Sequence, residues 1–175
     1  MKEALKILLA IVAAMTLADA AWAQTPPPIA AAGETAVATY HAEGAQIYEC
    51  KTDSKPDSKP GNDGKLAWVF REPIATLVLD GKTIGHHYLG PTWEHADGSA
   101  VVGKVAANAP GKTASDILWL KLEVTARRGS GALTGVTTVQ RINTQGGVHA
   151  GACEKAGALH SAPYAADYVF LRKEN

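Results

Sequence analysis

The sequence predicts an all-β fold: a single-domain antiparallel β-sandwich or barrel with long loops and little helix. Short apolar or alternating runs recur along the chain, and tight-turn dipeptides and glycine-rich stretches separate them. Helical stripes longer than about two turns are lacking, so strands do not alternate with helices as they do around a parallel sheet. About seven to nine short strands joined by turns are typical of an antiparallel sandwich or barrel.

The first 23 residues have the features of a secretory leader. Lys2 and Lys6 precede an apolar run from Ile7 to Leu17, and Ala21-Trp22-Ala23 places small residues where a signal peptidase cuts, before Gln24. The run is too short to span a bilayer, and no later stretch approaches the roughly 18 apolar residues of a membrane helix. We therefore expect an exported periplasmic or extracellular protein that does not insert into a membrane after cleavage.

The chain after the leader divides into a tether and one domain. Residues 24–39 are rich in Pro and Ala and lack a periodic apolar face, which predicts a flexible tether. Residues 40–175 are long enough for one hydrophobic core and predict a single β domain. Its predicted strands are 46–50, 66–70, 74–79, 83–89, 117–125, 133–142 and 167–171.

Turn residues delimit the strands in the first half of this domain. The alternating run 46–50 is followed at 53–60 by a tandem Asp-Ser-Lys-Pro repeat, which predicts a solvated loop. Pro73 is expected to break the chain between the next two strands. Asp80-Gly81 and Asp97-Gly98 readily take the positive φ angles of tight hairpin turns.

The clearest strand is 117–125. Leu118, Leu120, Leu122 and Val124 share one face of it, and Trp119, Lys121 and Glu123 share the other. This period of two predicts that one face packs in the core and the other meets water. Gly129 to Gly131 then lead into 133–142, a run of Val and Thr typical of strands.

Cys50 and Cys153 are the two cysteines, and both lie after the leader. In an oxidising compartment a disulfide between them is the default interpretation, and it leaves no free thiol for catalysis. Closing a loop of about 100 residues would stabilise the fold by ~4 to 5 kcal/mol. A nucleophilic or metal-binding cysteine pair has no CxxC or CxH spacing to support it.

Charge and motif content exclude several classes of protein. The formal net charge is zero, and the densest basic pair, Arg127-Arg128, adjoins a glycine-rich turn, so a nucleic acid is not an expected partner. The sequence has no GxSxG elbow, no phosphate-binding glycine loop and no dinucleotide fingerprint. We expect no cofactor, and the oligomeric state is not indicated.

Residues 85–99 contain the densest set of reactive side chains. If 83–89 is a strand, His86 and His87 point to opposite faces, so only one of them can join a site with Glu94 or His95. His87, Glu94 and His95 are the right residue types for a metal site, but they lack a spacing such as HExxH. Hydrogen-bonded or solvated histidines are therefore the preferred interpretation, with a metal site as the alternative.

The carboxylates and tryptophans each allow two interpretations. Glu94 with Asp97 could form an acid and base pair, but Asp97 precedes Gly98 and is better explained as a turn residue. Trp93 is either a core side chain or an exposed platform for a flat ligand such as a sugar ring. Trp119, on the polar face of its strand, could add a second apolar surface outside the core.

The chain resembles the DUF3455 family of secreted proteins of unknown function. The resemblance spans nearly all of residues 40–171 and departs from the family pattern at 148–150. The family also has an early and a late cysteine, which agrees with the disulfide inferred above. It implies no established activity. The motifs that carry it are Ile-Gly-His-His-Tyr at 84–88, Gly-Pro-Thr-Trp-Glu at 90–94, Asp-Gly-Ser at 97–99, Trp-Leu at 119–120, Gln-Arg-x-x-Thr-x-Gly-Gly at 140–147 and Pro-Tyr-Ala-Ala-Asp-Tyr-Val-Phe at 163–170.

The family motifs select a set of candidate site residues. Arg141 is expected to hold Glu94 by a bidentate bond across two strands, and Arg141 and Gln140 could also act as donors to a ligand that lies against Trp93. The set consists of six polar or amphipathic residues on motif positions, namely His87, Trp93, Glu94, Gln140, Arg141 and Thr144.

Three classes of function follow. The leading hypothesis is an exported or cell-envelope binding module for a small or carbohydrate-like ligand. The alternatives are a hydrolase that uses Glu94 and His87, and a structural or protein-interaction module without a small-molecule site. A partly buried Glu94 with a raised pKa would favour the enzyme, and an open groove beside an exposed Trp93 would favour binding.

Overall fold

The computed structural model describes residues 27–52 and 64–174 of the chain. The predicted leader and the loop predicted at 53–60 lie outside these residues. A single-turn 3₁₀ helix, Pro27–Ile29, precedes eight strands. The strands are β1 (Glu34–Thr52), β2 (Leu66–Leu79), β3 (Lys82–Tyr88), β4 (Thr92–His95), β5 (Ala100–Ala109), β6 (Trp119–Arg128), β7 (Thr138–Gly146) and β8 (Leu159–Lys173).

The eight strands form one closed antiparallel barrel. Each strand pairs with the next one in sequence, and β8 pairs with β1 along nearly its whole length, from Glu34 opposite Lys173 to Glu49 opposite Leu159. Closure satisfies the backbone groups of what would otherwise be two edge strands. The all-β prediction is confirmed, and between sandwich and barrel the structure is a barrel.

Two strand boundaries differ from the predicted ones. The prediction of a break at Pro73 is wrong, because β2 continues through this residue. Pro73 lies opposite Gln46 of β1, and the pairing of β2 with β3 begins only at Ala75. At Pro73, β2 therefore has a neighbouring strand on one side only, where a proline that cannot donate a backbone hydrogen bond is tolerated. At the N-terminal side, β1 already begins at Glu34, so residues 34–39 belong to the first strand.

Buried side chains fill one end of the barrel. The β6–β7 connection covers this end, with Leu133 and Val136 fully buried beneath it. Residues 133–137 therefore cap the barrel, and β7 begins later than predicted. The interior cluster consists of Tyr40, Ala42, Ala75, Leu77, Trp93, Val101, Ile117, Leu122, Leu133, Val136, Val139, Tyr164, Ala166, Tyr168 and Phe170.

Asp97 fixes this cap to the β4–β5 hairpin. Its Oδ1 accepts hydrogen bonds from the amide and the hydroxyl of Ser99, and its Oδ2 accepts one from the amide of Ala132 at 2.7 Å. These bonds hold the pKa of Asp97 well below its usual range. Asp97 is therefore the hairpin residue that its position before Gly98 predicts, and it also ties two connections together.

A second, smaller cluster lies outside the barrel wall. Ile29 is fully buried against Trp119 and Ala109, and the Ile29 carbonyl accepts a hydrogen bond from Gln140 Nε2 at 2.6 Å. The segment before β1 thus covers the outer faces of β5, β6 and β7. Trp119 does lie outside the main core, but it is buried and does not offer an open surface.

The predicted disulfide joins Cys50 and Cys153, whose Cα atoms are 5.9 Å apart. It attaches the end of β1 to the β7–β8 connection, which runs beside the start of β2 through a bridge between Ala67 and Ala152. In the described part of the chain, no helix is long and apolar enough to cross a membrane.

Candidate ligand-binding cavity

The end of the barrel opposite the cap is hollow. A cavity of about 670 Å³ opens there, bordered by the end of β1, the start of β2, the β3–β4 turn and the chain between β5 and β6. This volume lies within the range of pockets that hold small ligands. The deepest lining residues include His87, Trp93, Leu122 and Tyr168, all of which are buried.

Apolar side chains form the mouth of this cavity. Each of five large apolar residues at the mouth exposes between 46 and 58% of its surface. They lie on five different strands and connections, so their common location results from the barrel geometry and not from one sequence run. We call this set the rim: Phe70, Leu89, Val105, Leu118 and Val148.

His87 and Trp93 form a stacked pair at the floor of the cavity. Their ring centroids are 4.5 Å apart and their planes differ by 8°. The pair lies cross-strand, because His87 of β3 is directly opposite Trp93 of β4. Gly103 of β5 makes room for the indole, since a Cβ at that position would lie 3.1 Å from Cζ3 of Trp93.

His87 is a neutral imidazole with a defined tautomer. It is 3% exposed, and burial lowers its pKa from 6.5 to about 3, with a smaller lowering by the charge of Arg141. Nδ1 lies 2.9 Å from the carbonyl oxygen of Thr92, which can only accept, so Nδ1 carries the hydrogen. Nε2 is therefore the nitrogen with the free lone pair.

Two buried donors in the cavity lining lack partners. Among residues 27–52 and 64–174, neither Nε1 of Trp93 nor Nε2 of Gln46 makes a hydrogen bond of standard geometry, although Gln46 lies near the hydroxyl of Tyr164 and opposes the rise in its pKa. Both side chains line the cavity and are at least 97% buried, since Trp93 is 1% and Gln46 3% exposed. Buried polar groups are nearly always hydrogen-bonded, so two unpaired donors in one cavity lining are an unusual feature.

Arg141 lies in the cavity lining and does not bind Glu94. Its Nε and Nη2 donate to the carbonyl oxygen of Leu118 at 3.0 and 2.9 Å. The predicted bond between Arg141 and Glu94 is wrong, because Arg141 lines the interior of the barrel whereas Glu94 lies on the outer side of the wall.

Glu94 lies on the other side of the barrel wall from His87. It pairs with His86 across β3 and β4, and side chains alternate along a strand, so Glu94 and His87 face opposite ways. Glu94 accepts bonds from the hydroxyl of Tyr88 at 2.6 Å and from Arg128 at 2.8 Å. These bonds lower its pKa, with that of Tyr88 contributing most, whereas a general acid needs a raised pKa.

The other candidates also have structural partners. Thr144 Oγ1 donates to the carbonyl of Ile117 at 2.6 Å, and Gln140 binds Ile29 outside the barrel. His95 Nδ1 contacts Asp97 at 3.0 Å. Among the residues that the structure describes, no group of three or more His, Cys, Asp or Glu could hold a metal ion, so His87, Glu94 and His95 do not form such a group.

Of the six residues selected from the motifs, the structure brings together three: His87, Trp93 and Arg141. Sequence reasoning missed Gln46, Tyr168 and the rim. A signal for Gln46 was present, because it is the polar residue on the same face as Tyr48 and Cys50 in the alternating run 46–50.

The protein is thus a closed eight-stranded antiparallel barrel that is filled with side chains at one end and contains a cavity at the other. The chain belongs to the family described as protein of unknown function (DUF3455), whose model matches residues 31–172. The resemblance seen in the motifs is thereby confirmed. No curated protein and no solved structure matches the chain.

Proposed function

We propose that this protein binds a small, largely apolar ligand inside the hollow end of the barrel. The observation that carries the proposal is the cavity of about 670 Å³, with apolar walls and two unpaired buried donors. Apolar walls with a few placed polar groups are the usual composition of small-molecule sites. Eight-stranded barrels of this size are just wide enough to enclose one small ligand.

The arrangement of Trp93 favours an apolar ligand over a carbohydrate. A sugar-binding platform presents its indole face to solvent, but Trp93 is 1% exposed and its face is covered by His87. Its polar edge is the part without a partner. The exposed apolar rim further supports an apolar ligand, since contiguous exposed apolar surface commonly marks a binding site.

We also propose that the protein acts after export. The leader-like residues 1–23 and the disulfide between Cys50 and Cys153 support this location, because disulfides persist in oxidising compartments. An enzyme that combines Glu94 with His87 is disfavoured, because the barrel wall separates the two side chains.

The test compares ligand binding by two tryptophan variants. Leu120→Trp places a large side chain in the cavity lining, whereas Val37→Trp makes the same change on an exposed position that does not line the cavity. With the neutral apolar dye Nile red as the probe, we expect binding by the wild type and by Val37→Trp, and at least tenfold weaker binding by Leu120→Trp. Equal binding by the two variants, or no binding by the wild type, would contradict the proposal.

A further inference from the structure

We infer that the ligand is an apolar carboxylic acid whose carboxylate is bound inside the cavity by Arg141, Trp93 Nε1 and Gln46 Nε2. This inference rests on the proposed function and specifies the chemical class of ligand. It follows from the kind of polar groups that the cavity offers, which are donors and one fixed positive charge.

Arg141 supplies a charge without a carboxylate partner. Among the described residues, the ion pairs do not include Arg141, and its Nε and Nη2 share one backbone carbonyl, that of Leu118. This bond fixes the guanidinium at the cavity wall. Arg141 also interacts with the hydroxyl of Tyr168, and other N–H groups stay available because a guanidinium has five. An arginine held in this way is well suited to a planar carboxylate.

The other charged lining residues, Asp116 and Arg71, already have partners. Asp116 accepts hydrogen bonds from the amides of Gly146 at 2.8 Å and Thr113 at 2.9 Å. Arg71 pairs with Glu72 at 3.0 Å. Arg141 is therefore the charged group in the described lining that is left to select a ligand.

The two unpaired donors have the same preference as Arg141. An indole N–H can only donate, and the unpaired atom of Gln46 is the amide nitrogen, which also only donates. Leaving such groups unpaired is costly, and an acceptor-only carboxylate removes the cost without adding a new donor that must be satisfied. Nε2 of His87 keeps its lone pair, so the carboxylate lies toward Arg141 and away from that atom.

The position of these groups sets the orientation of the ligand. Trp93 contacts Tyr168 at the floor, with ring centroids 5.3 Å apart, and the charge of Arg141 opposes the burial-induced rise in the pKa of Tyr168. Trp93 and Arg141 thus both lie beside Tyr168 at the floor, Gln46 is buried as well, and the rim at the mouth is apolar. An acid enters head first, with its apolar chain running toward the rim.

The experiment measures two matched ligands, decanoic acid and decan-1-ol, by displacement of Nile red near neutral pH. The ratio of their affinities is the readout, because a general loss of stability affects both ligands alike. Hydrogen bonds to charged groups predict that the wild type binds the acid about 10- to 100-fold more tightly than the alcohol. Arg141→Gln should bring the ratio close to one. The control Arg128→Gln removes an arginine that pairs with Glu94 and does not line the cavity, so it should leave the ratio unchanged.

Gln46→Glu is a second variant, for the case in which Arg141→Gln does not fold. It replaces a donor by a negative charge and should weaken binding of the acid while the alcohol still binds. Equal affinities of acid and alcohol for the wild type, or an unchanged ratio in Arg141→Gln or Gln46→Glu, would overturn the carboxylate inference but leave the cavity as a binding site. If neither ligand displaces the dye and the dye itself does not bind, the proposed function fails as well.

Discussion

His87 should make the protein less stable in mild acid. In the unfolded chain its pKa is close to the ordinary 6.5, and in the folded barrel it is about 3, because burial disfavours the imidazolium. Between these two values the unfolded chain binds the extra proton and the folded chain does not. The contribution of His87 is therefore fully present above pH 6.5 and is lost as the pH falls through 6.5 toward 3.

The magnitude follows from the proton linkage. The free energy of unfolding falls by about 1.4 kcal/mol per pH unit once the unfolded chain is protonated and the folded chain is not. Allowing for partial protonation near the unfolded pKa, the loss attributable to His87 between pH 7 and pH 5 is about 2 kcal/mol. Other groups with lowered pKa values add their own acid dependence, so the effect of His87 must be measured by difference.

Urea unfolding of the wild type and of His87→Gln at pH 7 and pH 5, followed by circular dichroism, isolates this contribution. The glutamine can still donate to the carbonyl of Thr92, but it has no titrating group. We expect the wild type to lose about 2 kcal/mol more than His87→Gln over this pH interval. The matched control His86→Gln, at the exposed neighbouring position, should behave as the wild type. Parallel pH dependence of the wild type and His87→Gln would refute the reasoning.

Two further predictions concern what holds the barrel together. Because the Cys50–Cys153 bond closes a separation of 103 residues, the double variant Cys50→Ala/Cys153→Ala should lose about 4.7 kcal/mol of unfolding free energy. A reductant should lower the unfolding free energy of the wild type to a similar value and leave that of the variant unchanged. A wild type whose unfolding free energy does not respond to the reductant would show that the bond is not formed. Ile29→Ala should destabilise the barrel by about 2 to 5 kcal/mol because Ile29 is fully buried against Trp119, and a change below about 0.5 kcal/mol in thermal unfolding would show that this segment does not pack there.

The strands were predictable where local patterns decide them. The period of two in 117–125 correctly separates Leu120 and Leu122, on the inner face, from Trp119 on the outer face. Asp97-Gly98 marks a real hairpin. Closure was not predictable, because it depends on β1 pairing with β8 at the opposite end of the chain, and no local pattern records that contact.

The candidate site was predictable only in part, for a related reason. A motif identifies positions, but it does not tell which side of the barrel wall each side chain occupies. Trp93 and Glu94 are adjacent in one motif, yet alternation places one inside and the other outside. Gln46 lies in none of the motifs that select candidate residues. It reaches the cavity because β1 and β7, which are far apart in the sequence, both pair with β8 and border the same mouth.

The half-filled interior has a consequence for how such a protein can change. Phe170, Leu133 and Val136 are fully buried at the capped end, whereas the cavity that we propose as the binding site lies at the open end. The rim side chains are about half exposed, so their substitution removes few packing contacts and should change the free energy of unfolding little. Under the proposed function, exchange of the rim residues is therefore the expected route to variants that bind other ligands.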